Sequence, residues 1–144
     1  MNALRLRLPL PPTQNHIWKL RRGGRGVYLT TEGQEVKQEI AVEAFKASDD
    51  EEWGTRPCLR ACPWLRVSIL YYLPDKRRRD LSNLNKLLLD GISDGIGVDD
   101  SRFLVLEIPP CFDKARPRCE VVITGLTEEQ AEAQRRAFKE AFQG

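Results

Sequence analysis

The chain has 144 residues, of which 41% are hydrophobic and 31% are charged, with a formal net charge of +2. This length and composition are typical of one globular domain with a real core, and no apolar run approaches the length of a membrane span. Residues 1–12 alternate leucine with arginine instead of forming an apolar block, so we expect a cytoplasmic protein with no secretory signal and no membrane partner.

The first predicted elements are a strand and a helix. Residues 4–8 alternate leucine with arginine, as in a half-buried strand, and the prolines that follow end it. After a loop over residues 13–29, Thr31 is the predicted N-cap of a helix that extends to about Ala47, with Gln34 completing a capping box. The apolar side of this helix is predicted to hold Ile40, Ala44 and Phe45.

The middle of the chain predicts a central strand and an amphipathic helix. A loop over residues 48–63 precedes residues 64–73, whose β-branched and aromatic side chains favour a central strand. Asp80 then stands as the N-cap or first-turn residue of a helix, where a carboxylate suits the helix dipole. A leucine-rich face of this helix is predicted to be buried, and Gly91, Gly95 and Gly97 are expected to loosen its end. The opposite flank displays Ser82, Asn83, Lys86, Asp90 and Ser93.

The last third of the chain predicts a turn, two strands and a terminal helix. The turn carries Asp99 and Asp100, and the strands cover residues 102–108 and 119–124. Thr127 is the predicted N-cap of the terminal helix, which we expect to cap the sheet, with partner docking as the alternative. The resulting fold class is α+β: a single domain whose mixed β-sheet is packed by helices, with residues 1–125 as its body and residues 126–144 as an added C-terminal helix.

The basic residues are concentrated in a few segments. Residues 1–31 contain six cations and no acid, residues 76–79 are four consecutive cations, and three more lie within residues 114–118. Segregated charge of this kind favours one basic face that contacts phosphates, although each cluster alone is also typical of a solvated loop. The four cysteines lack the spacing of a zinc site, so we expect reduced thiols.

The acids around the amphipathic helix predict a metal site. Asp80 begins the helix and Asp99 and Asp100 follow it, so a helix that turns back would bring carboxylates together. Mg2+ prefers one or two protein carboxylates and retains waters for substrate phosphates. Lys86 on the polar flank would position a water or neutralise charge at a phosphate, and the arginines before Asp80 would hold a nucleic-acid backbone. The alternative is that Asp80 is only a cap and that Asp99 and Asp100 only form a turn.

The segment RRRDLSNLNK, residues 77–86, resembles the RusA family of Holliday-junction resolvases. In that family a segment of the form R-R-D-x-D-N-L-x-K is followed by an acidic pair near the next strand, here Asp99 and Asp100. The opening LPLPPTQNHIW and the later YLTTEGQEVKQEI also resemble the family, and the likeness covers the chain to about Thr124. The terminal helix looks like an addition to a RusA-like domain.

The resemblance implies a homodimeric endonuclease, often encoded by phages or prophages, that acts in DNA recombination and repair. It implies Mg2+ as cofactor, with Mn2+ as a substitute, and four-way junction DNA as partner, cut by paired symmetric nicks. Asp80, Lys86 and Asp100 are the implied catalytic residues. The predicted metal ligands are Asp80, Asp100, Ser82 and Asp99, with Asp90 as a further source of help.

Ser82 departs from the family pattern, which has an aspartate at this position. A hydroxyl is a weaker magnesium ligand than a carboxylate and does not accept a proton at neutral pH. The alternative function is therefore a branched-DNA-binding protein of resolvase descent with weak or no nuclease activity. The predicted DNA-binding residues are Asn15, Trp18, Lys19, Arg21, Arg22, Arg25, Lys76, Arg77, Arg78, Arg79 and Asn83.

Overall fold

The computed structural model describes residues 3–10, 18–20, 23–24, 26–79 and 81–144, and for Trp18, Leu20 and Asn83 it describes the backbone alone. The strands are β1 (Ala3–Pro9), β2 (Trp18–Leu20), β3 (Val27–Leu29), β4 (Trp64–Leu73), β5 (Phe103–Glu107), β6 (Cys111–Phe112) and β7 (Arg118–Leu126). The helices are α1 (Thr31–Ser48), α2 (Thr55–Ala61), α3 (Leu81–Ile96) and α4 (Glu128–Gln143), with a 3₁₀ turn at Asp100–Arg102.

The main sheet is mixed, and its topology places α3 on one of its faces. Its strand order is β1-β7-β4-β5, and β6 also pairs with β4. β4 is antiparallel to β7 but parallel to β5. Parallel strands need a crossover connection, and α3 forms the crossover from β4 to β5. The predicted α+β fold with a mixed sheet packed by helices is thus confirmed.

The core lies between the sheet and the helices α1 and α3. β4 buries every second side chain, and these residues join Ile40 and Ala44 of α1 and the leucines of α3 in one apolar cluster. The opposite face of the sheet is open, since Leu106 and Val122 there remain 50% and 39% exposed. None of the described helices is long and apolar enough to cross a membrane.

Two glycines let α1 and α3 approach each other closely. Gly91 and Gly95 are buried inside α3, and a Cβ added at Gly91 would lie 2.7 Å from Cγ2 of Ile40. The expectation that these glycines loosen the helix end is therefore wrong, because they permit a tight helix contact. Only Gly97 ends the helix, with a φ of +70° that favours glycine.

Several boundaries differ from the sequence prediction. Thr30, not Thr31, caps α1, where its hydroxyl accepts from the Gly33 N–H at 3.1 Å. Phe45 is not buried but 50% exposed, with the Arg56 guanidinium 3.8 Å from its ring centre. The predicted loops contain α2, β2 and β3, because short elements leave little periodicity in a sequence.

The terminal helix α4 begins as predicted but does not cap the sheet. Thr127 and Gln130 form a capping box, with Thr127 as the N-cap. Ala131 is the only buried residue of α4, whereas Phe138 and Phe142 are 71% and 84% exposed. The expectation that this helix caps the sheet is therefore wrong.

Candidate functional site

The polar flank of α3 is displayed as the sequence predicts. Ser82, Lys86 and Asp90 follow one another at four-residue spacing, which aligns them along one side of the helix. Ser82 and Lys86 are exposed, and Asp90 is half-buried. The flank is held in place because the opposite face of α3 buries Leu84, Leu87, Leu88 and Ile92 in the core.

Asp100 lies close enough to Asp90 to affect the pKa of its carboxyl group. Burial raises the pKa of Asp90 above its ordinary value, and the neighbouring charge of Asp100 raises it further. The ammonium groups of Lys37, from α1, and Lys86 act in the opposite direction. This part of the flank therefore holds two neighbouring carboxyl groups, with two cations near them.

Asp99 and Asp100, adjacent in the sequence, have different roles in the fold. The Asp99 carboxylate caps the 3₁₀ turn by accepting from the Ser101 N–H at 2.8 Å. That backbone hydrogen bond lowers the pKa of Asp99, while Asp100 faces α3. Asp99 is thus engaged by the turn, and Asp100 is the member of the pair that meets Asp90.

The contact between Asp90 and Asp100 lies far along α3 from its first turn. At a rise of 1.5 Å per residue, Asp90 is about 13 Å along the helix axis from Leu81. Asp80 lies outside the described residues, so its predicted pairing with Asp100 stays a prediction. Among the residues that the structure does describe, no group of three or more potential metal ligands is found.

The basic run before α3 divides into exposed cations and one bracing arginine. Nη1 of Arg79 lies 2.9 Å from Oδ1 of Asp75, and this contact lowers the pKa of Asp75. Arg79 therefore holds the turn after β4. Lys76, Arg77 and Arg78 are exposed, and Lys76 also lies 5.8 Å from the ring centre of Phe112.

Among the other predicted DNA-binding residues, only Lys19 has a described side chain, and it is exposed. Asn15, Arg21, Arg22 and Arg25 lie outside the described residues, as do the side chains of Trp18 and Asn83. A second basic turn lies near the run, because β6 pairs with the end of β4 and leads into exposed Lys114 and Arg116. Its cations were visible in the sequence, but their position depends on that pairing.

A buried polar chain that the sequence reasoning missed fixes the start of α3 to the sheet. The Tyr71 hydroxyl of β4 donates to Oδ1 of Asn85 at 2.6 Å, and Nδ2 of Asn85 donates to Glu107 of β5. Burial raises the pKa of Tyr71 well above its usual range, so it remains a donor at neutral pH. The position of Asn85 beside the leucine stripe was the signal that could have indicated a buried polar residue. Its partners, Tyr71 and Glu107, are distant in the sequence and could not have been identified.

The fold and the site can be compared with known proteins. A family model described as endodeoxyribonuclease RusA matches residues 9–124. A crossover junction endodeoxyribonuclease of Enterobacteria phage HK97 is 34% identical over 104 residues, which cover 72% of this chain and 78% of the relative. The crossover junction endodeoxyribonuclease of Enterobacteria phage 82 is 28% identical over 130 residues, which cover 90% of this chain and 100% of the relative. A solved 2C-methyl-D-erythritol 2,4-cyclodiphosphate synthase from Plasmodium vivax aligns over 87% of this chain and 97% of its own, with a TM-score of 0.32 and 10% identity.

Proposed function

The chain belongs to the RusA family of Holliday-junction-resolving endonucleases, and we propose that it is a Mg2+-dependent homodimer that places paired symmetric nicks in four-way DNA junctions. The proximity of the carboxyl groups of Asp90 and Asp100 is the observation that carries this proposal. These groups supply hard oxygen ligands on the same helix flank as Lys86, while the basic run lies before the first turn of that helix.

The donor set of this flank fits Mg2+. Two neighbouring carboxyl groups favour a cation between them, and magnesium binds through one or two carboxylates while it keeps several waters. We assign Asp100 and Asp90 as ligands, with further contributions from Ser82, in the first turn of α3, and from Asp80, which precedes that helix in the sequence. Mn2+, which prefers the same oxygen ligands, is expected to substitute. When bound, the ion would activate a water and neutralise charge on the scissile phosphate.

Lys86 and the basic run are proposed to act on the DNA phosphates. The exposed ammonium of Lys86 lies on the same flank as Asp90, so it is suited to neutralise charge that develops on the phosphate during cleavage. Lys76, Arg77 and Arg78 hold the backbone of the junction arms, because exposed cations bind phosphate irrespective of base sequence. Arg79 keeps the loop that carries them in place.

The length of α3 supports a homodimer. Ligands of one magnesium ion must each lie about 2.0–2.1 Å from it, whereas about 13 Å of helix separates Leu81 from Asp90. One ion therefore does not join both regions of the same copy. A two-fold dimer would solve this, because the first turn of α3 in one copy can meet the Asp90–Asp100 pair of another. The same symmetry would present two centres to the two strands that a junction resolvase must cut.

A second candidate function is favoured by Ser82. A neutral hydroxyl at this exposed position weakens a site that would otherwise hold another carboxylate. A protein with such a site would bind branched DNA through its cations and cleave it slowly or not at all. Cleavage assays under conditions of full junction binding distinguish this candidate from an active resolvase.

The proposal is tested with Asp100→Asn and Lys86→Met on a labelled four-way junction. Asp100→Asn should bind the junction at least as tightly as the wild type, because it removes a negative charge, and Lys86→Met should bind only slightly more weakly, because the basic run is retained. Both variants should lose cleavage by more than about a hundredfold. Glu129→Gln is the matched control, since Glu129 is an exposed carboxylate of α4, outside this site. Undiminished nicking by Asp100→Asn would overturn the assignment of this site.

A further inference from the structure

The helix α4 carries an aromatic stripe that none of the described residues covers. Phe138 and Phe142 stack on each other with their ring centres 6.4 Å apart, and both are largely exposed. Ala131 extends the stripe toward the start of the helix and is buried. Exposed aromatic pairs of this kind mark interaction surfaces. The family match ends at residue 124, so the helix lies beyond the part shared with the family.

The charges beside the stripe have an order that suits a partner of the same sequence. At 100° per residue, one flank of the stripe carries acids in the first half of the helix and cations in the second. In an antiparallel pair of identical helices, the acidic half of each flank faces the basic half of the other. In a parallel pair this charged flank would face the opposite flank, which carries only alanine and glutamine. The residues of the charged flank are Glu128, Glu132, Arg135 and Lys139.

We propose that α4 pairs antiparallel with α4 of a second copy of this chain. The stripes of the two helices pack against each other, and Glu132 of each copy faces Lys139 of the other. Arg135 remains bound within its own helix, at 3.1 Å from Glu128 and 2.9 Å from Glu132. The contact is isologous, so it closes on two copies and does not propagate into a filament.

The buried area shows how much this contact contributes. The four phenylalanine rings of the pair would bury about 600–1,000 Å2 at 150–250 Å2 each. A stable specific interface buries about 1,200–2,000 Å2. The α4 pair therefore strengthens an assembly that other surfaces also hold. The pairing does not depend on nuclease activity, because self-association is measured in the absence of DNA.

The test is the concentration dependence of self-association of the full chain, measured by sedimentation equilibrium. Phe138→Gln combined with Phe142→Gln should raise the dissociation constant by about tenfold or more, because central aromatic anchors dominate small interfaces. Glutamine is a good helix former, so α4 is retained. The matched control is Ala133→Gln combined with Arg136→Gln on the opposite face of α4, which should self-associate like the wild type.

Charge reversal tests the antiparallel orientation. Lys139→Glu should weaken self-association, and adding Glu132→Lys to the same chain should restore it. A double phenylalanine variant that self-associates like the control would overturn the pairing. So would failure of Glu132→Lys to restore Lys139→Glu.

Discussion

The carboxyl group of Asp100, in the turn that follows α3, lies close enough to Asp90 to affect the pKa of that residue. Neighbouring acids repel each other when both are charged, and a cation held between them offsets that repulsion. Burial and the neighbouring Asp100 raise the pKa of Asp90, and Lys37 and Lys86 partly oppose this. The local structure thus carries an electrostatic cost in the absence of metal, which a divalent cation would offset.

Asp90→Asn should raise the thermal stability of the metal-free protein at neutral pH. Because the pKa of Asp90 is higher in the folded chain than its ordinary value of 3.8, the folded state binds more protons there. The free energy of unfolding therefore falls as pH rises from this value through the raised pKa. Thermal melts across that range should show a smaller decline for the variant, and a smaller gain on adding Mg2+. A variant that melts below the wild type and keeps the full Mg2+ gain would contradict this.

Ser82→Asp should strengthen metal-dependent cleavage. A carboxylate in the first turn of α3 adds a magnesium ligand and suits the helix dipole, so the Mg2+ concentration for half-maximal cleavage should fall by about tenfold. Ser82→Asn is the matched control, because it changes size without adding charge. Equal or lower activity of the aspartate variant would show that the site is adapted to serine.

Arg78→Gln and Arg79→Gln should have different effects. Arg78 is exposed, so its loss should weaken binding to junctions of every sequence. The slope of the logarithm of the binding constant against the logarithm of the salt concentration should become shallower by about one. Arg79 pairs with Asp75, so its loss should mainly destabilise the turn, and only slightly because the pair is solvent-screened. Filter binding at several salt concentrations checks the first effect and urea unfolding the second, with exposed Lys46→Gln as control. Similar binding by Arg78→Gln and Lys46→Gln would contradict the proposed contact.

Tyr71→Phe should cost about 0.5–1.5 kcal/mol of stability, because it removes one buried hydrogen bond. Asn85→Ala should cost more, about 1–3 kcal/mol, since it leaves the buried Tyr71 hydroxyl without that partner. Urea unfolding of both single variants and of the double variant measures these terms. A double variant whose loss equals the sum of the two single losses would show that the pair is not coupled.

Features with local causes could be predicted from the sequence. The leucine stripe of α3 and the alternation in β1 specify which side of each element is buried, and the Thr127 capping box specifies where α4 begins. The polar flank of α3 followed from the same periodicity. This part of the candidate site could therefore be predicted from the sequence alone.

Features that depend on distant partners could not be predicted. Asp100 meets Asp90 because of the path of the turn after α3, and Asn85 is buried because Tyr71 and Glu107 receive it. From the sequence alone, a glycine at position 91 suggests a flexible backbone. The structure shows instead that Gly91 allows Ile40 of α1 to approach closely. In each case the sequence shows both residues but not that the fold brings them together.

The central claim is that this chain resolves junctions through a magnesium centre on α3. The most direct test incubates the wild-type protein with a labelled four-way junction and a matched linear duplex, with and without Mg2+, and maps every nick. We expect symmetric paired nicks in the junction alone, and only when Mg2+ is present. Junction binding without nicks at any Mg2+ concentration, or equal cutting of the duplex, would contradict it.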